Sequence, residues 1–414
     1  MAIALPRFNT LQAAINSFDK RYGTRRKPLS YAPKALVTAP GRVELLGNHT
    51  DHNRGLVISA AIDRFTAVAA APNGSMQVLS WSDTLGQPDM FEISSFSPLP
   101  RGSWANYVRG PVAALIDSGV VVHGFNAAIA SDVPLGGGLS SSASLECAVA
   151  VAVLEMFGGG PGLQPEGMQL AELLKQAEHR FAGVQCGVLD QFSSLFGKAD
   201  HALYLDSDTL QHETVPLGSN PPAIVVCNSN APRELAKGKY NERRAECEAA
   251  SEALHRLNPT LPRGEVPSLR DIPMHVFLDQ QSLLEPVPAR RARHVLTENQ
   301  RVMTGRELLR RSGDVRGFGQ LMLESHRSSR DDFENSSFEL DLLIELASRQ
   351  PGFLGGKLSG AGWGGCTVNL VDPPHAESFA RSVADEYLRR TGLTTSVMIC
   401  LAAAGANAVR LDKK

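Results

Sequence analysis

The sequence predicts a two-domain α/β protein, and three observations carry that expectation. The chain has 414 residues, more than one ordinary hydrophobic core accommodates. Strand-like apolar runs alternate with helical patterns along its length. Two glycine-rich turns, Gly136-Gly137-Gly138 and Gly360 to Gly365, sit next to such runs, where a turn joins the elements of an α/β unit.

Composition narrows the class. The chain is 43% hydrophobic and 20% charged, as a soluble globular protein is. A formal net charge of -2 supplies no basic excess for nucleic acid. The six cysteines are scattered without a C-x-x-C pair, so zinc and redox motifs are not expected. Cys147 and Cys227 lie in apolar runs and read as small buried hydrophobes. Arg7, Asp19, Lys20 and Arg21 interrupt any signal-peptide pattern, and no apolar run reaches a membrane span. A reduced, cytoplasmic setting fits this pattern.

In order, Leu11, Ala14, Ile15 and Phe18 predict a leading amphipathic helix, followed by a basic turn at Arg25-Arg26-Lys27-Pro28. Ala35 to Pro40 reads as a short strand ended by proline. Residues 63–95 read as strands with turns at Pro72-Asn73-Gly74 and Asp83 to Gly86. Trp104 opens a helix running to about Asp117, and Gly124 to Ala130 is a strand feeding the first glycine turn. A helix from Ser144, a loose linker at Gly158 to Gly162 and a helix from Glu166 to Phe181 follow. Strands are expected over 200–230 and a charged helix over Tyr240–Leu257. Residues 258–290 are Pro-rich, with a short helix near 276–284. Helices fill 288–312, 314–326 and 336–349. The second glycine turn leads into a strand, and a helix at 374–391 and a strand near 395–402 close the chain.

Three stretches concentrate chemistry. Leu135 to Ser144 (LGGGLSSSAS) places three glycines and three hydroxyls before a helix. Free N–H groups and the positive end of the dipole make a helix start an anion site. It is not a Walker A loop, because no Gly-Lys-Ser/Thr follows. Gly41 to Gly55 (GRVELLGNHTDHNRG) packs polar groups between apolar runs. Arg42, His49 and Asp51 are of the kind a polyol needs, although a solvated loop has the same composition. His49 and His52 are too sparse a set for zinc. Asp190, in Gly187-Val188-Leu189-Asp190-Gln191, stands at a turn-to-helix junction, where an acid also serves as a cap.

Taken together the stretches resemble the GHMP small-molecule kinases, and within them the galactokinases, from about Ala39 to Val371. Gly41–Gly55 resembles the signature G-R-x-N-L-I-G-E-H-T-D-Y-N-x-G. Pro134–Ser144 resembles P-x-G-x-G-L-S-S-S-A-S, and Ser359–Cys366 the third motif, T-G-G-G-F-G-G-C. Ala177-Glu178-His179, Tyr240 to Arg244, Arg291 to Val295 and Glu324-Ser325-His326 support it.

The resemblance implies a GHMP fold with the active site in a cleft between two domains. A sugar- and nucleotide-binding domain, of the ribosomal protein S5 second-domain type, would occupy residues 1–215. A ferredoxin-like α+β domain would occupy 216–414. It also implies Mg²⁺ and ATP, with transfer of the γ-phosphoryl group to a sugar hydroxyl, C1 in galactokinases. Residue by residue, Gly136, Gly137, Gly138, Ser140 and Ser141 would cradle the phosphates, with Trp104 near the adenine. Ser142 and Glu178 would serve the Mg²⁺. Asp190 matches the catalytic carboxylate and Arg42 its cationic partner. Arg42, Asn48, His49, Asp51, Gly187, Asp190 and Tyr240 match sugar contacts. The partners expected are a sugar and ATP, with no nucleic acid and no membrane, and the chain is expected to act as a monomer or weak dimer.

Two departures bear on the substrate. The signature's Glu is Asn48 here, and its Tyr is His52. In galactokinases that Glu meets the C6 hydroxyl. Asn48 could accept a hydrogen bond from it, and an anionic C6 group would meet no like charge at that position. Galactose, galacturonate and N-acetylgalactosamine therefore remain open as substrates, and a non-catalytic sugar sensor stands as the other class. Ser359 and Trp363 in the third motif are mild changes.

Overall fold

The computed structural model describes residues 5–23, 33–158, 165–231, 238–262 and 267–409. The predicted basic turn at Arg25–Pro28 and most of the linker at Gly158–Gly162 lie outside them. Helix α1 (Leu5–Tyr22) leads into β1 (Ala35–Leu46), which is buried along its whole length. β1 does not end at Pro40 as expected. The register with its partner strand shifts between Pro40 and Arg42, and at such a bulge the missing proline N–H costs the ladder nothing. The strand therefore runs six residues into the polar signature and carries Arg42 and Glu44 on one face.

β2 (Leu56–Pro72), β3 (Gln77–Ser82) and β4 (Gln87–Glu92) follow, then α2 (Asn106–Asp117), β5 (Phe125–Ser131), α3 (Ser141–Phe157), α4 (Gly167–Phe181), α5 (Leu189–Phe196), β6 (His201–Asp206) and β7 (His212–Pro216). These strands form one sheet in the order β1-β2-β5-β3-β4, with β6 and β7 branching from β2. α1 lies on an alanine-lined face: Leu11, Ala14 and Phe18 pack on Ala67, Ala69, Ala128 and Ala130. Small side chains let the helix approach closely. The other face packs Val37, Val68 and Ile129 against α2 and α3.

The second half supplies β8 (Ala223–Asn228), α6 (Lys239–Leu257), α7 (Met274–Gln280), α8 (Pro286–Ser312), α9 (Val315–Ser328), α10 (Phe338–Ser348), β9 (Phe353–Ser359), β10 (Cys366–Val371), α11 (Ala376–Thr391), β11 (Ser396–Cys400) and β12 (Asn407–Ala408). Its sheet runs β11-β8-β10-β9, every pair antiparallel. In chain order that is 4-1-3-2, the ferredoxin-like arrangement expected. β12 returns to pair with β1. One core joins the two sheets, with Val43, Leu45 and Ile58 meeting Val226, Phe318 and Leu370. No helix among the described residues is long and apolar enough to cross a membrane.

β9 was not anticipated as a strand, and its Gly355-Gly356 pair has little strand propensity. Those glycines serve packing instead. A Cβ on Gly355 would fall 2.2 Å from Gly319 Cα, and one on Gly319 would fall 2.1 Å from the Leu354 carbonyl oxygen. Helix α9 thus lies directly on β9. Gly319→Ala is expected to destabilise the protein by roughly 1–3 kcal/mol through overpacking, read as a lower urea midpoint at unchanged m-value.

Candidate active site

The first glycine turn ends at Ser140, which adopts the left-handed conformation (φ 58°) as α3 begins. Its hydroxyl is sealed from solvent and has no partner among the described residues. Around this helix start lies a cavity of about 570 Å³, whose wall includes Gly136, Gly138, Ser140, Ser141 and Ser142 together with Trp104, Leu85 and Ile129. The wall thus combines a helix start, whose first N–H groups lack helical partners, with aromatic and apolar side chains. Gly137 is buried and turned away: a side chain there would point at Pro134 and Cys366.

A second cavity of about 460 Å³ adjoins the first. Its wall includes Glu44, Asn48, His49, Asp51, Gly187 and Tyr240. Arg42, Asp190, Gly360 and Ala361 belong to both cavities. Arg42 Nε donates to Asp190 Oδ1 at 2.8 Å and its Nη2 approaches the same oxygen at 2.5 Å, while Nη1 donates to the Gly138 carbonyl at 2.7 Å. One guanidinium therefore ties the carboxylate, placed in the first turn of α5, to the glycine turn. His49 lies against Phe333 with ring centroids 4.6 Å apart. Burial, with the nearby His52, pushes its pKa down to about 3, so the ring is neutral at pH 7. Its Nε2 lies 2.9 Å from the Ala361 carbonyl; that acceptor requires Nε2 to carry the proton. Tyr240 packs on His49 and His52 and its hydroxyl reaches His52 Nδ1 at 3.5 Å.

Beneath the junction lies a set of acids. Gln191 donates to Glu146 at 2.9 Å and to Glu178 at 2.7 Å, and Cys186 donates to Glu178 at 3.2 Å. Burial, then the charge of Asp190, raises the pKa of Glu178, with Cys186, Gln191 and the nearby Ser142 hydroxyl lowering it in part. Glu146 is pushed well up by burial and then by Glu178. Glu178 was legible in the sequence, but Glu146 and Gln191 were not, since both lie inside apolar helical patterns.

The match to known proteins spans the chain. Residues 16–72 match the galactokinase galactose-binding signature, residues 106–198 the GHMP kinases N terminal domain and residues 306–389 the GHMP kinases C terminal model. Galactokinase of Roseiflexus sp. (strain RS-1) is 42% identical over 95% of both chains. The chain belongs to the galactokinases. Human galactokinase is 37% identical over 93% of this chain and 95% of its own. The Lactococcus lactis galactokinase structure, complexed with galactose, superposes with a TM-score of 0.84 at 32% identity, covering 96% of this chain and all of that one. Mevalonate kinase of Methanococcus jannaschii, at 16% identity and a TM-score of 0.62, covering 89% of this chain and 98% of that one, shares the fold alone.

Within this galactokinase the signature loop is held differently from expectation. Asn48 lies in the cavity wall but is fully buried. Its Nδ2 donates to Glu44 Oε1 at 3.0 Å and to the Gly360 carbonyl at 2.9 Å, and its Oδ1 accepts from Asn335 at 2.9 Å and Ser329 at 3.3 Å. Both amide protons and both lone pairs are engaged. The expected sugar contact from Asn48 is therefore corrected: the side chain is a structural tie.

The loop's backbone is fixed from α8. Glu298 accepts from Gly47 N at 2.9 Å and Asn48 N at 3.3 Å, and His294 Nε2 donates to the Asn48 carbonyl at 2.9 Å. Burial pushes the pKa of Glu298 up, but Arg301, His294, Lys357 and the Ser325 hydroxyl overcome that and hold it down at about 2. Nothing in the sequence marks Glu298 among the charged residues of a long helix.

Proposed function

We propose that this chain transfers the γ-phosphoryl group of ATP to the C1 hydroxyl of galactose, giving galactose 1-phosphate and ADP. One observation carries the proposal: a cavity at a helix N-terminus and a cavity walled by polyol-type donors and acceptors meet at Arg42 and Asp190. ATP enters the first, its phosphates against Gly136, Gly138, Ser140 and Ser141 and its base toward Trp104. The α3 N–H groups, which lack helical partners, are donors for an anion. Galactose enters the second, among His49, Asp51, Gly187 and Tyr240. Mg²⁺ fits Ser142 and Glu178, because a divalent cation there offsets the repulsion between the buried Glu178 and Asp190. When bound, it neutralises charge on the phosphates.

Transfer then needs little covalent help from the protein. Asp190 accepts the proton of the C1 hydroxyl as that oxygen forms its bond to phosphorus and ADP departs. Arg42 orients Asp190 and stabilises the charge developing on the phosphoryl group. The cysteines form no disulfide among the described residues, which suits a reducing, cytoplasmic setting.

The test is ADP release with Mg²⁺ and ATP on galactose, galacturonate, N-acetylgalactosamine, glucose, mevalonate and homoserine. ADP release driven by galactose is the expected result. Sugar binding by calorimetry without turnover on any of the six would overturn it in favour of a sensor.

A further inference from the structure

The carboxylate missing from position 48 is present four residues earlier. The signature has Asn where this chain has Glu44, and Glu where it has Asn48. The two side chains are hydrogen-bonded to each other at 3.0 Å, so acid and amide have exchanged places across a single hydrogen bond. Lys357 gives the exchanged acid its support. It is fully buried, and its Nζ donates to Glu44 Oε1 at 2.8 Å and to the Leu358 carbonyl at 2.7 Å. A sealed ammonium needs a counter-charge beside it.

Oxygen Oε1 of Glu44 is thereby occupied by Lys357 and Asn48. Oε2 has no partner among the described residues and is not sealed, and Glu44 forms part of the second cavity's wall. Arg42 and Glu44 pair in continuous register with Ala61 and Ser59, so they emerge on the same face of β1, about 7 Å apart along the strand. A hexopyranose whose C1 hydroxyl meets Arg42 and Asp190 bridges that distance.

We propose that Glu44 Oε2 accepts the sugar's C6 hydroxyl and sets the selectivity of this kinase. The assignment rests on the sugar-kinase reading above. It reverses the expectation that a C6 carboxylate would enter unopposed: galacturonate meets Glu44 at like charge. A sugar lacking the C6 hydroxyl leaves that acceptor without its donor.

The experiment compares kcat/KM for galactose, 6-deoxygalactose and galacturonate in wild type, E44M/K357M and E44Q. The double variant removes both charges together, leaving no unpaired buried ion. Its galactose to 6-deoxygalactose ratio is expected to fall about tenfold or more, with thermal unfolding still cooperative. K357M alone keeps Glu44 and should keep the ratio. Should the double variant fail to fold, E44Q carries the test through a rise in the galacturonate to galactose ratio. Parallel loss on all sugars with unmoved ratios overturns the assignment and leaves Glu44 as the counter-ion of Lys357 only. Wild-type silence on galactose overturns the kinase reading itself, and the assignment with it.

Discussion

Asp190→Asn lowers galactose phosphorylation by about 10²–10⁴-fold, the usual contribution of a positioned proton acceptor, while the protein stays folded. Asparagine keeps the shape and retains an oxygen for Arg42 Nε, which now lies 2.8 Å from Asp190 Oδ1. It cannot take a proton. The loss should therefore fall in kcat, with the KM for ATP changing little, because Asp190 lies at the edge of the first cavity and the phosphate-cradling groups are untouched. Asp190→Ala removes the oxygen as well and frees Arg42, which is largely buried. Arg42 also holds the Gly138 carbonyl, so alanine should add a loss of ATP affinity that asparagine does not. Steady-state kinetics on both variants, beside their unfolding curves, separate the two effects. A folded Asp190→Ala variant with near-wild-type turnover would remove Asp190 from the chemistry.

What was legible beforehand was local. The anion site is written in ten consecutive residues, because a turn, its glycines and the helix it opens are neighbours in sequence. That Arg42 and Asp190 act together was legible only through the family's motifs, since they are 148 residues apart. Pro40 misled because its effect depends on the partner strand: a bulge removes the need for its N–H. β9 escaped notice for a related reason, as the contact that requires Gly355 comes from Gly319 on another element. Asn48 is the sharpest case. Its side chain could serve a sugar by chemistry alone, and only the positions of Glu44, Ser329, Asn335 and Gly360 show it already engaged. Lys357 and Glu44 are 313 residues apart, and no periodicity couples such a pair.

Glu298→Ala is expected to cost about 3–5 kcal/mol of stability, the range for breaking a buried charge network. One carboxylate serves four donors here: Gly47 N, Asn48 N, Ser325 Oγ at 2.5 Å and Arg301 Nε at 2.7 Å, with Lys357 contributing its charge nearby. Alanine leaves two buried backbone N–H groups and a buried hydroxyl unsatisfied, and Arg301 without its partner. The same group dictates a pH response. Its pKa is held at about 2 in the folded protein, below the ordinary glutamate value of about 4.3. A depressed folded pKa means the native state binds fewer protons there, so the stabilisation is complete above the unfolded value and is lost as pH falls through about 4 toward 2. Urea midpoints for wild type and Glu298→Ala at pH 7 should differ widely, and the difference should shrink on acidification. A gap that stays constant from pH 7 to pH 3 would mean that the charge of Glu298 does not support the fold. Because Gly47 and Asn48 begin the loop that presents His49 and Asp51, the variant should also raise the KM for galactose more than it lowers kcat. That split would show that α8 positions the sugar-binding loop and takes no part in phosphoryl transfer.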